Sequence, residues 1–325
     1  MASEQPTAEL PVLRLALAGY SKAQRATLET ATAVLRTRLR WRVVGLDDAD
    51  ADAVCVNGER VTPLPDGSLQ IAACGPGAPP LRIDPTHPDR PLAFSMPLAP
   101  GVQRVSTFDM ESPASTRAML EKFEGWLRPV SVQFCLASKI VQSRMDLSGT
   151  VYHVTVDGRL VAVVSRRSGI GVLPIADPFH LDNALWAKRP GLADEIPGHF
   201  VQVGMGQALW QYAMRTRRNL LPTYFRSGPI YWCRPPQLPQ RLFRDSHLKI
   251  VRELAHTPRS FAELRQRTGL SETLLSRDLA GLRIVGAVTH DRKQALRLRP
   301  QATGTAHPGV TDDMTAPAPL VPQDF

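Results

Sequence analysis

The chain has no apolar stretch long enough to cross a membrane: its longest apolar runs are broken by Arg, Asp or Pro, whereas a spanning helix needs about 20 apolar residues. No membrane association is expected. The start, "MASEQPTAELP", carries acids where a secretory leader needs a basic stretch and an apolar core, so a cytoplasmic location is expected. Cysteine is scarce. Cys55, Cys74, Cys135 and Cys233 form no CxxC pair, and none has a His at metal-ligand spacing. That argues against a zinc site and for reduced, scattered thiols. Catalytic signatures are missing as well: there is no GxSxG, HExxH, P-loop or Cys–His arrangement. With no nucleophile, base, metal set or cofactor fingerprint in view, the expected role is not enzymatic.

What is present is a lopsided basic charge. The 325 residues carry a formal net charge of +9. Residues 1–125 hold 13 basic against 15 acidic side chains, whereas 126–240 and 241–300 each hold 13 against 6. The last of these segments packs its excess into about half the length of the second. A basic module behind a near-neutral front suits an electrostatic anchor for nucleic acid.

The front segment alternates strand and helix signals. "VLRLALAG" has the length of a buried strand, and "SKAQRATLETATAVLRTRLR" follows at near-helical spacing with Ser21 placed to cap. "WRVVGL", "DAVCVNG", "LQIAACG" and "PLAFSMPL" read as further strands, and "SPASTRAMLEKFEGWL" reads as a closing helix. This order predicts an open α/β sheet over residues 1–125. Together with "DADADAVCVN", it resembles a response-regulator receiver domain from Leu13 to Trp126. The resemblance implies paired acids after the first strand and a phosphate-accepting aspartate after the third. Ala18-Gly19-Tyr20 and Val56-Asn57 stand there instead. It therefore implies a pseudo-receiver that phosphorylation cannot switch; a different small α/β domain fits the same residues.

Residues 126–240 read as a mixed α+β domain. Asp157-Gly158 separates two alternating runs in "TVYHVTVDGRLVAVVS", which is the chemistry of a tight hairpin turn. "GVLPIADPFHLDNALWAKRPG" reads as a loop with a short helix. "MGQALWQYAMRTRRNLLP" reads as a helix whose last turn is crowded by Arg215, Arg217 and Arg218, cations that suit the helix dipole. "YWCRPPQLPQR" looks like an extended linker. The loop "SRRSGIG" offers Arg166 and Arg167 to an anionic ligand.

Residues 241–300 build three helices. "DSHLKIVRELA" turns Leu248, Val251 and Leu254 inward, and Ser260 with Glu263 forms a capping box ahead of a helix stopped by Gly269. Ser271 caps the third helix, with Leu274, Leu275, Leu279 and Leu282 on its apolar face. "GAVTHDRKQALRLRP" then reads as two short strands around the polar loop Asp291 to Gln294. The set resembles the winged helix-turn-helix domains of bacterial transcription regulators, which implies DNA binding and a third helix in the major groove. On that resemblance the contacts are Ser271, Thr273, Ser276 and Arg277 on the helix, and His290, Arg292, Lys293 and Arg297 on the wing. Residues 301–325, rich in Pro, Ala, Thr and Gly, are expected to be disordered.

The expected chain is thus multidomain, α/β and α+β: a receiver-like open sheet, a mixed middle domain and a C-terminal winged helix. Two roles fit it. One is a DNA-binding regulator in signal transduction. The other is an adaptor that uses the same domains for protein partners, for self-assembly into a homo-oligomer, or for sensing a small anion.

Overall fold

A computed structural model describes residues 9–298 apart from 36, 46–50, 73–79, 87, 104, 146, 148–149 and 190–195. The tail 301–325 and most of the acidic turn before Asp52 lie outside the described residues.

The front begins with β1 (Val12–Ala18), α1 (Lys22–Val34), β2 (Arg40–Val44) and β3 (Ala53–Asn57). Three short strands follow, β4 (Val61–Pro63), β5 (Leu69–Ile71) and β6 (Leu81–Ile83), and then β7 (Leu92–Ser95), β8 (Thr107–Phe108) and α2 (Pro113–Trp126). Ser21 starts α1 as expected: its hydroxyl accepts from the Gln24 amide and the Gln24 side chain accepts from the Ser21 amide. The main sheet has the order β2-β1-β3-β7-β8, with every pair parallel. Period-2 alternation feeds two cores. Leu13, Leu15, Leu17, Ala53 and Cys55 pack with Leu28 of α1 and Leu120 and Phe123 of α2. Ala16, Ala18, Val54, Val56 and Phe94 pack with Val61, Leu69 and Ile71 of the antiparallel β4-β5-β6 sheet. A sheet covered on both faces accounts for the nearly unbroken apolar runs of β1 and β3.

The middle comprises α3 (Arg128–Gln142), β9 (Val151–Val156), β10 (Arg159–Ser165), β11 (Gly169–Val172), β12 (Leu185–Arg189), β13 (Val201–Val203) and α4 (Met205–Arg215). Its antiparallel sheet runs β12-β9-β10-β11-β13. Asp157 and Gly158 both have positive φ, +49° and +76°, the signature of a primed two-residue turn. The loop and short helix expected over 171–191 are present, but a strand that the sequence did not show follows them. A six-residue 3-10 helix, Pro178–Asn183, is capped by Asp177, and β12 follows it as an edge strand on β9. With Leu185 exposed and only five residues long, β12 shows little alternation in sequence.

The last elements are α5 (Tyr224–Ser227), β14 (Pro229–Trp232), α6 (Asp245–His256), β15 (Arg259–Ser260), α7 (Phe261–Thr268), α8 (Glu272–Ile284), β16 (Val288–Thr289) and α9 (Arg292–Leu298). The segment read as a linker contributes Tyr231 and Trp232 to β14, the centre of a β15-β14-β16 sheet. The second strand expected around the polar loop is instead α9. The Asp291 side chain accepts from the Lys293 amide and its carbonyl accepts from the Ala295 amide, and Arg, Lys, Gln, Ala and Leu favour helix. Apolar packing is continuous across residue 240: Trp210, Ala213, Met214, Phe225 and Ile230 share one core with Ile250, Leu254, Leu264, Leu275, Leu279 and Leu282. Helix α4 thus faces two cores, since its Ala208 and Tyr212 belong to that of the middle sheet.

Two inward assignments also change. Leu248 is exposed, and the α6 stripe is His247, Ile250 and Leu254. Leu274 is half-buried and lies outside the core that Leu275, Leu279 and Leu282 enter as expected.

Candidate nucleic-acid interface

Helix α8 begins where its sequence requires. Gly269 ends α7 with φ +68°, a left-handed turn that glycine adopts without strain, and its amide donates to the Arg265 carbonyl at 3.0 Å. Ser271 then caps α8, accepting from the Leu274 amide at 3.3 Å. Ser271 is exposed but its hydroxyl is engaged, so it shapes the helix start. Glu272 and Thr273 are exposed beside it.

The helix face expected to present Thr273, Ser276 and Arg277 is only partly open. Ser276 and Ala280 are buried, because the end of α4 and the chain beyond it pack along this side of α8. Ser276 therefore cannot reach a duplex in this conformation; its hydroxyl accepts from Arg226 at 3.3 Å. Arg226, on α5, also pairs with Glu272 and lies 5.2 Å from the centre of the Phe261 ring. The hydrogen bond from Arg226 holds the Glu272 carboxyl below its ordinary range. Arg265 stands 3.9 Å from the other oxygen of Glu272.

Between α8 and the end of α4 lies a cavity of about 210 Å³. Its wall carries Arg217, Arg218, Arg226 and Arg277, together with Thr273 and a single carboxylate, Glu272. Arg217 and Arg218 were expected only as cations in the last turn of a helix, and Arg226 was not singled out in the sequence. Helix α4 stops at Arg215, which is drawn into an ion pair with the buried Asp52 at 2.6 Å, so Arg217 and Arg218 lie beyond the helix end. The run "RTRRN" was the available signal. Arg277 does not pair with Asp278, which points inward, nor with Glu272, which Arg226 and Arg265 occupy.

The wing residues take other places. His290 is exposed and stacks on Tyr224, ring centres 4.1 Å apart, linking the end of β16 to α5. Arg292, Lys293 and Arg297 are exposed on α9, so none of them sits at a hairpin tip. Arg166 and Arg167 are exposed in the β10–β11 turn, where the Ser165 hydroxyl accepts from the Arg167 and Ser168 amides.

In the front sheet Asn57 ends β3, buried, accepting from the Glu59 amide at 3.1 Å and donating to Gln24 at 3.4 Å. The Tyr20 hydroxyl donates to the Val56 carbonyl at 3.0 Å, and burial pushes its ionisation well above the usual range. Among the described residues no group of three or more His, Cys, Asp or Glu side chains is arranged to hold a metal. No helix among them is long and apolar enough to cross a membrane. No protein-family model matches the chain, and neither a curated protein nor a solved structure shows significant similarity to it.

Proposed function

We propose that the chain is a cytoplasmic DNA-binding regulator, with α6–α8 and the β15-β14-β16 sheet acting as a winged-helix module. One observation carries this reading. Cationic side chains from four segments, Arg217 and Arg218, Arg226, Arg265 and Arg277, gather around the first half of α8. Phosphate contacts of this kind set position and affinity without reading sequence. Thr273, exposed on the first turn, is the side chain best placed for base contact. In this reading β14 stands where a wing would supply its second strand. The front domain is then a pseudo-receiver: its parallel order has the 2-1-3-4-5 pattern of flavodoxin-like sheets, and the amide of Asn57 cannot carry an acyl phosphate.

Burial of Ser276 and Ala280 favours a second reading, in which the module assembles with protein partners. A salt series of duplex-binding titrations on the full chain separates the two. The DNA reading predicts that affinity falls steeply with salt, and that Arg265→Gln lowers the log–log slope by about one. Thr273→Ala should alter the preference among duplexes and leave the slope alone. Absence of salt-sensitive binding to any duplex would reject the DNA reading.

A further inference from the structure

The cavity beside α8 holds a charge imbalance that the protein does not resolve internally. Four of its wall residues are arginines and one is a glutamate. Arg226 is occupied by Glu272 and Ser276. Arg218 lies 3.7 Å from Glu9, whose carboxylate also accepts from Thr216 at 2.6 Å and from the Arg217 amide at 2.9 Å. The guanidinium groups of Arg217 and Arg277 have no carboxylate partner among the described residues, although both residues line one cavity. Arg277 is half-buried. Arg217 is exposed, whereas the Arg277 guanidinium is partly withdrawn from water without a counter-charge of its own, which is unfavourable.

We infer that this cavity is a phosphoryl-binding site, with Arg217 and Arg277 as its ligands. Guanidinium forks match phosphoryl oxygens bidentately, and they suit such sites better than ammonium groups do. Size narrows the ligand. A volume of about 210 Å³ falls below the roughly 300–1,000 Å³ that encloses a drug-sized molecule. It admits a phosphoryl or diphosphoryl group and leaves any attached sugar or base outside. A group held there would join the chain after α4 to α8, fixing the helix against the core it shares with Trp210 and Met214. The phosphoryl group can come from a free small molecule or from a duplex backbone. Small-molecule binding does not depend on the DNA reading above; the duplex source does.

Calorimetric titration of the full chain with inorganic pyrophosphate at low salt tests the site, with a short duplex as the second arm. Arg217→Gln and Arg277→Gln are the variants, and Arg159→Gln, an exposed arginine of β10, is the charge-matched control. Each site variant should weaken binding about tenfold or more, as expected when a charge-assisted contact is lost, and the control should not. Such a dependence for pyrophosphate assigns the site to a free phosphorylated molecule. The same dependence for duplex alone assigns it to backbone phosphate. Pyrophosphate binding of this kind with no duplex binding keeps the site and removes the DNA reading. If duplex binds all four proteins alike and pyrophosphate does not bind, the site is overturned and the DNA reading stands. Binding of pyrophosphate equally by all four proteins, or of neither ligand by the wild type, also overturns it.

Discussion

Nε2 of His247 on α6 lies 3.2 Å from Oδ1 of Asp278 on α8, and neither side chain is exposed to solvent. The approach is close but off the hydrogen-bonding line, so both Asp278 oxygens lack a hydrogen-bond donor among the described residues. Nδ1 of His247 accepts from the Arg244 amide at 3.0 Å, which puts the ring proton on Nε2, facing the carboxylate. Trp210 packs on the imidazole with ring centres 4.8 Å apart. The pair therefore fixes α6, α8 and α4 relative to one another from inside the core.

Removing one partner should cost far more than removing both. His247→Ala removes the Nε2–H that faces the buried Asp278 carboxylate, and a loss of about 1–3 kcal/mol is expected. Replacing both residues with Leu should be near neutral or stabilising. Chemical denaturation of the full chain measures both. Equal losses for the single and double variants would show that the pair contributes no coupling.

Gly281 lies where α8 packs closely on side chains of α4. A Cβ there would overlap the terminal methyl of Met214 and stand 3.3 Å from the Trp210 ring. Gly281→Val should destabilise the chain by about 1–3 kcal/mol through overpacking. Adding Met214→Ala should recover part of that loss, because the methyl is the nearest obstacle. No recovery in the double variant would place the strain elsewhere.

Glu263 and Glu272 give the terminal helices a defined acid sensitivity. Hydrogen bonds from the Ser260 amide and hydroxyl hold Glu263 below the ordinary carboxylate range, and the Arg226 guanidinium does the same for Glu272. A depressed folded-state value means stability that is present above the unfolded value and lost as pH falls through the folded one. Melting temperatures of the wild type and of Glu263→Gln should therefore differ at neutral pH and converge in acid. Curves that stay parallel down to the lowest pH would contradict this.

The described thiols should be inert while the chain is folded. Burial raises Cys55 beyond the normal thiol range and pushes Cys135 up to about 12, while Cys233 shifts the same way. Thiolate is the reactive form. Alkylation at mildly alkaline pH, mapped by peptide mass, should leave Cys55 and Cys135 unmodified until denaturant is added. Rapid labelling of either in native buffer would contradict the packing of β3 or α3.

Local signals carried the parts of the structure that were legible in the sequence. The Ser21 cap, the Asp157-Gly158 turn and the Ser260–Glu263 box each depend on residues within a few positions of one another. What escaped depends on distant partners. β15 and β16 are two residues long and exist because β14 lies between them, a pairing that no periodicity records. Asp291 has turn chemistry and also caps a helix, and only packing against β14 and β16 decides between them. The site shows the same division. Arg277 stood out on a helix with clear caps, whereas Arg217 and Arg218 resembled cations at a helix end. Ser276 looked exposed because its cover comes from α4, far away in the chain.

The central position of β14 sets an order on assembly. That strand and α4 leave the ribosome before any of α6, α7 or α8, and β14 then has two unpaired edges. One waits for Arg259 and Ser260, the other for Val288 and Thr289. Open strand edges invite pairing with other chains. The terminal helices cannot close over a complete sheet until synthesis has passed Thr289, so a nascent chain halted inside α8 would display a hydrogen-bonding edge that the finished protein hides.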